Sequence, residues 1–458
     1  MRARTSPKPQ ICLTTNAALP AFIRYGAYSI ALAKMNESHD EPIVPADGRL
    51  ITIDILRGLS ILWVVVYHLW GPAAEGFALQ LPRAYYERFW DRVSAGDALA
   101  ASTAFTDLIF RLGYNGVTVF MILSGMSLTI SSMRSRRPIP LLRWYPARLR
   151  KLLIPYWAAW CLYLATLAIV ALYRTNADGG TFSHNFQYLG LARMIDFEHA
   201  RAGLLIIPRA LDESFVGAPS PTLWFVVLLL QYYLLFPLLL PLLRRVGPVA
   251  FAAIALALSV AASAWLISAH GSLGARGNWW SMWFPFRFFE FGIGMVIGYA
   301  MVEYPRALRR ALGARLAMVA LVVLGLGMHT WGSWIDVRSG YWESFGYQLV
   351  TAGFAALVLA LVVVRPGAIL TSSPLRLIAL IGTISYTVLI VNESFLYLNF
   401  YLIIQGYQWT VGWWFFVVAL YVPLTVILAY PLAVVLGLVP KRQPKPKPSA
   451  AAIPAAAP

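Results

Sequence analysis

The sequence predicts an all-α protein: a polytopic bundle of about ten transmembrane helices with both termini in the cytoplasm. Three observations support this fold class. Of the 458 residues, 59% are hydrophobic and 12% are charged, whereas about a quarter of the residues in a soluble domain are charged. Apolar stretches of the length that crosses a bilayer, about 20 residues, recur along the chain. Basic residues are concentrated in alternate loops, as the positive-inside rule requires.

Ten apolar stretches are long enough to cross a bilayer. We place these spans at about 52–71, 112–131, 152–173, 222–243, 249–269, 280–302, 314–331, 348–364, 377–398 and 412–438. Two hydrophilic loops are long, at roughly 72–111 and 174–221, and the other loops are short. An even number of spans places both termini on the same side of the membrane.

The distribution of charge selects the cytoplasmic side. A net charge of +17 could indicate nucleic-acid binding, which needs clustered Lys and Arg. The loops assigned to the cytoplasm are instead basic throughout, and Glu303 is their only acid, whereas acids gather in the opposite loops. Because every alternate loop fits this pattern, the basic excess indicates topology and no nucleic-acid partner is predicted.

The chain divides into one membrane domain, 51–438, and two short ends. Residues 1–50 lack the apolar core and small-residue cleavage site of a signal peptide. We interpret them as a disordered cytoplasmic segment, with Met35 as an alternative start to Met1. The Pro-, Lys- and Ala-rich residues 439–458 are predicted to be a disordered cytoplasmic tail. No internal repeat and no second soluble domain is evident.

The first span carries three ionisable residues, Asp54, Arg57 and His68. Such residues are expensive inside a membrane and indicate a functional site. Arg57 and His68 are eleven residues apart, so they share one helix face about 16 Å from each other. Asp54 is one turn before Arg57 and can pair with it. A histidine alone is most often structural, but one in phase with an intramembrane ion pair favours function.

Base catalysis on a hydroxyl group is the chemistry that these residues favour. Imidazole titrates near neutral pH, so it can accept a proton as an alcohol attacks a thioester carbonyl. The sequence contains no Gly-x-Ser-x-Gly elbow. Ser124-Gly125 and Ser385-Tyr386 are weaker candidates, better explained by helix packing. No metal site is predicted, because the histidines are scattered and the two cysteines lie far apart.

Two further groups of charged residues are candidates. Arg287 and Glu290, three residues apart in the sixth span, could form a structural ion pair or could hold a ligand phosphate or a partner helix. Arg143, Arg148 and Arg150 lead into the third span from the cytoplasm. They fit the ordinary topology signal, and they also fit a phosphate site, because guanidinium groups match phosphate oxygens.

In these features the chain resembles the acyltransferase-3 family of bacterial membrane O-acyltransferases, over most of 50–400. The first span has the family's arrangement of Arg57, ten residues and His68. Five more pieces follow in family order. They are Gly113 to Val117 with Leu123-Ser124-Gly125, the basic run Arg143 to Pro155, Leu223-Trp224-Phe225 with Tyr233 and Pro237, Arg287 to Gly294, and Gly382 to Tyr386.

The resemblance implies transfer of an acyl group, usually acetyl, from cytoplasmic acyl-CoA to a carbohydrate or other alcohol at the outer face. His68 would be the general base, and Arg57 with Asp54 would organise its helix or the donor. Arg143, Arg148 and Arg150 would contact the CoA phosphates. Acyl-CoA is then a co-substrate and no bound cofactor is expected. The implied location is the bacterial inner membrane, among lipids and with a glycan or lipid-linked sugar as acceptor.

The chain departs from the family pattern at two places. The family often has a histidine seven residues after Ser385, where this chain has Asn392 followed by Glu393. It often has a glutamate a few residues after the tryptophan of the fourth span, where this chain has three leucines and then Gln231. Asn392 and Glu393 therefore join Ser385 and Tyr386 as secondary candidates.

Two other functions remain open on the sequence alone. A transporter or flippase would use the charged residues inside the membrane as a substrate or proton path. That function predicts Gly- or Pro-broken helices in corresponding positions of two halves, which we do not find in the sequence. A scaffold subunit with degenerate catalytic residues gains support from Asn392, and the presence of His68 argues against it.

Overall fold

A computed structural model of the chain describes residues 50–74, 82–135, 139–177, 179–191, 223–271, 282–335, 341–363, 372–402 and 411–439. These residues form helices and turns without a strand, which confirms the all-α prediction for the described part of the chain. Residues 1–49 and 440–458, which hold almost all of the two predicted disordered ends, lie outside the described residues.

The helices follow one another with short connections. In chain order they are α1 (Ile51–Ala74), α2 (Pro82–Ser94), α3 (Ala98–Arg111), α4 (Gly116–Arg134), α5 (Leu141–Ala177), α6 (Phe182–Leu191), α7 (Trp224–Val246), α8 (Pro248–His270), α9 (Phe288–Glu303), α10 (Pro305–Leu312), α11 (Arg315–Ile335), α12 (Tyr341–Val363), α13 (Ser373–Thr383), α14 (Ser385–Leu402) and α15 (Val411–Val435). The first long hydrophilic loop contains α2 and α3, and the second begins with α6.

A helix lies at each of the ten positions where the sequence predicts a span. Among the described residues, eight helical segments are long and apolar enough to cross a membrane, and the bent pair α13 and α14 would make a ninth. Helix α9 has 16 residues, about 24 Å, which is shorter than the roughly 30 Å hydrocarbon core. The protein is therefore multi-pass, while the count of ten and the side of the termini stay predictions.

Polar side chains of α7 and α8 hold the irregular backbone that precedes α9. The amide of Gln231 donates to the carbonyl of Met282 at 2.6 Å and accepts from the backbone N–H of Phe284 at 3.2 Å. The hydroxyl of Ser259 donates to the carbonyl of Pro285 at 3.0 Å. Non-helical backbone inside a membrane needs such partners because no water is there to replace them. Helix α9 consequently begins later than the predicted span at 280.

The predicted span at 377–398 is broken. Helices α13 and α14 meet at Ile384 with a bend of 74°. Near the end of α13, Gly382 packs so closely on α1 that an added Cβ would overlap the carbonyl oxygen of Asp54. Gly382, Thr383 and Ser385 interrupt the apolar stretch here, but the contact with α1 joins residues far apart in the chain and is not evident from the sequence.

Glycines hold α1 against neighbouring helices on two sides. A Cβ at Gly58 would overlap the carbonyl of Ile378 in α13. A Cβ at Gly116, the first residue of α4, would lie 2.7 Å from the carbonyl oxygen of Ser60. Small residues allow helix backbones to approach this closely, which is the usual basis of helix association in membranes. Helix α1 is therefore fixed between α13 and α4.

A second close contact joins α4 and α9. Added Cβ atoms at Gly125 and Gly294 would overlap the carbonyl oxygens of Phe291 and Ile122 respectively. A Cβ at Gly298 would lie 2.6 Å from the carbonyl oxygen of Met126. The interpretation of Ser124-Gly125 as a helix-packing feature is confirmed for Gly125.

Arg287 and Glu290 form a buried ion pair at the start of α9. Glu290 has no exposed surface and accepts hydrogen bonds from Arg287 Nη2 at 2.7 Å and from Arg287 Nε at 2.9 Å. Its Oε1 also accepts from Thr118 at 2.9 Å and from the hydroxyl of Tyr347. The Arg287 guanidinium lies 4.8 Å from the ring centre of Trp224. This satisfied network joins α4, α7, α9 and α12, which favours the structural interpretation of the pair.

We expect Gly382→Ala to lower the midpoint of thermal unfolding in detergent. The new Cβ would meet the backbone of Asp54, and overpacking of this kind typically destabilises by about 1–3 kcal/mol. Gly327→Ala in α11 is the matched control, because an added Cβ there has no described atom within 4 Å. Equal midpoints for the two variants would contradict the close contact.

Candidate functional site

Arg57 is held at the N-terminal end of α1 by two partners. Its Nη1 lies 3.9 Å from the Asp54 carboxylate, so the predicted pairing is present. Its Nη2 donates to Ser127 of α4 at 3.0 Å, and the Ser127 hydroxyl in turn donates to the carbonyl of Leu123 at 2.6 Å. About 29% of the Arg57 side chain remains exposed. The guanidinium is therefore oriented by protein groups and still accessible to a ligand.

A second arginine approaches Arg57 from α5. Arg148 of α5 and Tyr233 of α7 both lie within electrostatic range of the Arg57 guanidinium. Arg148 lies 5.8 Å from the ring centre of Trp144, and this ring stacks on Phe236 at 5.9 Å with an interplanar angle of 12°. Two neighbouring guanidinium groups repel each other, so an anion bound between them would be stabilised by both.

The structure separates the three arginines that the sequence assigned to phosphate binding. Arg148 is half-buried beside Trp144, whereas Arg143 and Arg150 are exposed. Arg143 and Arg150 are seven residues apart and so share a face of α5, and Arg148 lies about 140° around the helix from Arg143. Of the three, Arg148 is the one placed near Arg57.

His68 faces Glu393 toward the other end of α1. The Nε2 atom of His68 is 4.0 Å from Glu393 Oε1, and the two side chains are 15% and 11% exposed. The Nδ1 atom lies 2.9 Å from the carbonyl oxygen of Val64. A carbonyl oxygen can only accept, so Nδ1 carries the hydrogen and, in the neutral ring, Nε2 presents its lone pair.

Asn392 precedes Glu393 by one residue, so its side chain projects from α14 about 100° away from that of Glu393. Asn392 is fully buried, and its carbonyl accepts a hydrogen bond from the hydroxyl of Tyr421 at 3.0 Å. Its side-chain amide has no hydrogen-bond partner among the described residues. Glu393, which follows the position where the resemblance would place a histidine, is the side chain that faces His68.

Ser385 and Tyr386 lie at the start of α14, directly after the break. The Tyr386 hydroxyl donates to the carbonyl of Leu152 in α5 at 3.1 Å. Its ring meets that of Phe225 edge-on, with centres 5.9 Å apart. These contacts tie α14 to α5 and α7, as expected for a packing role.

Neither a metal cluster nor a disulfide is found in the described part of the chain. No group of three His, Cys, Asp or Glu side chains there could hold a metal ion. Cys161 is a free, exposed thiol, and Cys12 lies outside the described residues.

Several contacts of the candidate residues were not predicted from the sequence. Ser127, the partner of Arg57, follows Gly125 by two residues but carries no motif of its own. Thr118 and Tyr347 complete the Glu290 network from 172 and 57 residues away. No local pattern connects side chains at such separations, so only the packing of the helices reveals them.

Comparison with protein families identifies the domain to which these residues belong. The acyltransferase-3 family model, described as an acyltransferase domain, matches residues 50–434. Comparison with curated proteins and with solved structures gives no match. The matched range contains the His68–Glu393 pair and the Arg57 cluster, which comprises Arg57, Asp54, Ser127 and Arg148. The chain belongs to the acyltransferase-3 family and is a multi-pass membrane acyltransferase.

Proposed function

We propose that the protein transfers an acyl group, in the first instance acetyl, from cytoplasmic acyl-CoA to a hydroxyl of a cell-surface glycan or lipid-linked sugar in the bacterial inner membrane. The observation that carries the proposal is the placement of His68. Its free Nε2 faces a carboxylate at 4.0 Å, on the same helix as the Arg57 cluster and eleven residues further along. Family membership supports acyl transfer in general.

His68 acts as the general base of the reaction. Its Nε2 accepts the proton of the acceptor hydroxyl while the hydroxyl oxygen attacks the carbonyl carbon of the thioester. The carbon–sulfur bond then breaks, and the proton passes from the imidazolium to the departing CoA thiolate. The acyl group goes directly from sulfur to oxygen, so no covalent acyl-enzyme is required.

Glu393 stabilises the charged form of His68. A carboxylate near an imidazolium lowers the energy of the ion pair that forms when Nε2 accepts the proton. At 4.0 Å the two groups are beyond ordinary hydrogen-bond distance. Room therefore remains beside Nε2 for the hydroxyl that gives up its proton.

The CoA phosphates bind at Arg57 and Arg148. The two guanidinium groups lie within electrostatic range of each other, so a phosphate between them relieves their repulsion and gains charge-assisted hydrogen bonds. Arg143 and Arg150 are exposed and contribute to the local positive potential.

The long pantetheine arm of CoA extends along α1 from this cluster. Eleven residues of helix separate Arg57 from His68, about 16 Å along the axis. An extended arm placed on this path carries the thioester from the predicted cytoplasmic end toward His68. The acceptor hydroxyl then meets the acyl group from the opposite side.

A transporter or flippase is the second candidate function, and the broken span at Ile384 favours it. Discontinuous helices often line binding sites in transporters, and α13 and α14 are bent by 74°. Family membership favours the acyltransferase. Purified protein in proteoliposomes separates the two, because a transporter would move a sugar substrate without changing its mass, whereas an acyltransferase adds the acyl mass.

We expect His68→Ala to abolish acyl transfer, lowering kcat by about 100-fold or more, because general-base catalysis contributes this much. The measurement uses purified protein, isotopically labelled acetyl-CoA and surface glycan extracted from cells that make the His68→Ala variant, with the product analysed by mass spectrometry.

His270→Ala is the control for this substitution, since His270 is exposed at the end of α8. It should transfer acetyl groups at the wild-type rate. Near-normal transfer by a folded His68→Ala protein would refute the assignment of the base.

We expect Glu393→Gln to lower kcat roughly tenfold to 100-fold while the KM values change little. The amide keeps the shape of the side chain and removes the charge, and an interaction with a charged group is worth about 1.5–3 kcal/mol. Glu303→Gln serves as the control because that glutamate is exposed. A loss shared equally by both variants would argue against the pairing of Glu393 with His68.

We expect Arg148→Gln to raise the KM for acetyl-CoA by about tenfold or more, because a charge-assisted contact to phosphate is lost. The KM for the glycan should not change. Arg150→Gln, two residues along the same helix but exposed, should have a smaller effect. Steady-state kinetics at varied acetyl-CoA concentration measures the KM of each variant. An equal rise in the KM for acetyl-CoA in the two variants would contradict the assignment of Arg148.

A further inference from the structure

A cleft of about 480 Å³ opens between α2, α3 and the C-terminal end of α1. It lies within the loop 72–111, which the topology places on the outer side, opposite the basic loops. Its lining includes Arg88, Arg92, Asp107, Arg111 and Trp70. None of these charged residues belongs to the proposed site of the acyl donor or to the His68–Glu393 pair.

Asp107 lines the cleft, and one of its carboxylate oxygens is buried without a hydrogen-bond partner among the described residues. The residue is only 8% exposed. Its Oδ1 accepts hydrogen bonds from Trp70 Nε1 at 2.6 Å and from Arg111 Nε at 2.7 Å. Its Oδ2 accepts none from the described residues, and Arg88 Nη1 lies 3.8 Å from it. A buried carboxylate oxygen in this state gains free energy from a donor such as a ligand hydroxyl.

The chemistry of the lining selects a polyhydroxylated ligand. Guanidinium groups of Arg88 and Arg92 can donate to hydroxyl oxygens, and Asp107 can accept from hydroxyl hydrogens. A sugar unit offers both donors and acceptors and therefore fits the cleft.

The cleft cannot hold the sugar unit that reacts at His68. Trp70 follows His68 by two residues, so the two side chains project about 200° apart around α1 and only about 3 Å apart along its axis. His68 faces α14 through Glu393, whereas Trp70 faces α3 through Asp107. A single sugar unit cannot fill both places, but two units of one chain can.

We propose that the cleft around Asp107 is a subsite for a sugar unit of the acceptor chain that neighbours the acylated unit. The inference rests on the proposed acyl transfer and specifies its acceptor, which is an extended glycan and not a single sugar. The subsite contributes binding energy at a distance from the reacting hydroxyl. Its loss therefore weakens binding of the acceptor and leaves the chemical step unchanged.

The test compares Asp107→Asn and Arg92→Gln with the parent protein. Asparagine keeps the shape and presents either a donor or a weaker acceptor in place of the free carboxylate oxygen. The KM for intact glycan, extracted from cells that make His68→Ala, should rise about tenfold, equivalent to roughly 1.4 kcal/mol, with kcat within about twofold of the parent value. For single-unit fragments of that glycan, made by acid hydrolysis, variant and parent should have equal kinetics.

Arg92 is exposed, so Arg92→Gln tests the subsite even where Asp107→Asn does not fold. Arg245→Gln, an exposed arginine at the end of α7, is the matched control and should leave both KM values unchanged. Unchanged KM for intact glycan in the variants, or equal losses on intact glycan and on fragments, would overturn the subsite.

A direct binding measurement separates this inference from the proposed function. Labelled intact glycan is titrated into the His68→Ala protein with and without Arg92→Gln, so that no turnover occurs. Weaker binding with Arg92→Gln supports the subsite, and equal binding overturns it. Absence of acyl transfer by the wild-type protein, in contrast, refutes the proposed function itself.

Discussion

The close backbone contacts of α1 are the constraint on which the rest of the structure depends. Gly58 and Gly382 let α1 and α13 meet without an intervening side chain, and Gly116 does the same for α4. A helix held by backbone contact on two sides has little freedom to rotate or slide. The directions of Arg57 and His68 are thereby fixed. Because α14 continues from α13, the same contacts place Glu393 opposite His68.

The partners of the buried polar groups distinguish structural side chains from functional ones. Glu290 accepts hydrogen bonds from three residues, and the side-chain amide of Gln231 hydrogen-bonds to the backbone before α9. Such satisfied groups have little capacity left for a ligand. His68 and Glu393 stand 4.0 Å apart, and the buried Oδ2 of Asp107 accepts no hydrogen bond from a described residue. In the proposed mechanism, hydroxyl groups of the acceptor bind at these two places.

Hydrophobic patterning and local pairing were predictable from the sequence, and the arrangement of one helix against another was not. The positions of the helices follow from apolar length, and the Asp54–Arg57 pair follows from a spacing of three residues. The bend at Ile384 lies beside a contact of Gly382 with α1 that no local pattern reveals. The sequence likewise grouped Arg148 with Arg143 and Arg150 as one basic run, because the sequence does not show which face of the helix lies inward.

Glu393 gives the site a character that the family pattern alone would not predict. The resemblance places a histidine at the position of Asn392, and here that side chain is fully buried. One residue further along, a helix turns by about 100°, which brings Glu393 round to face the imidazole. A carboxylate at this point supplies the negative charge that stabilises an imidazolium, which neither an asparagine nor a second histidine could provide. In the proposed mechanism Glu393 supplies the charge beside the base, so the replacement of histidine by Asn392 does not by itself indicate a degenerate enzyme.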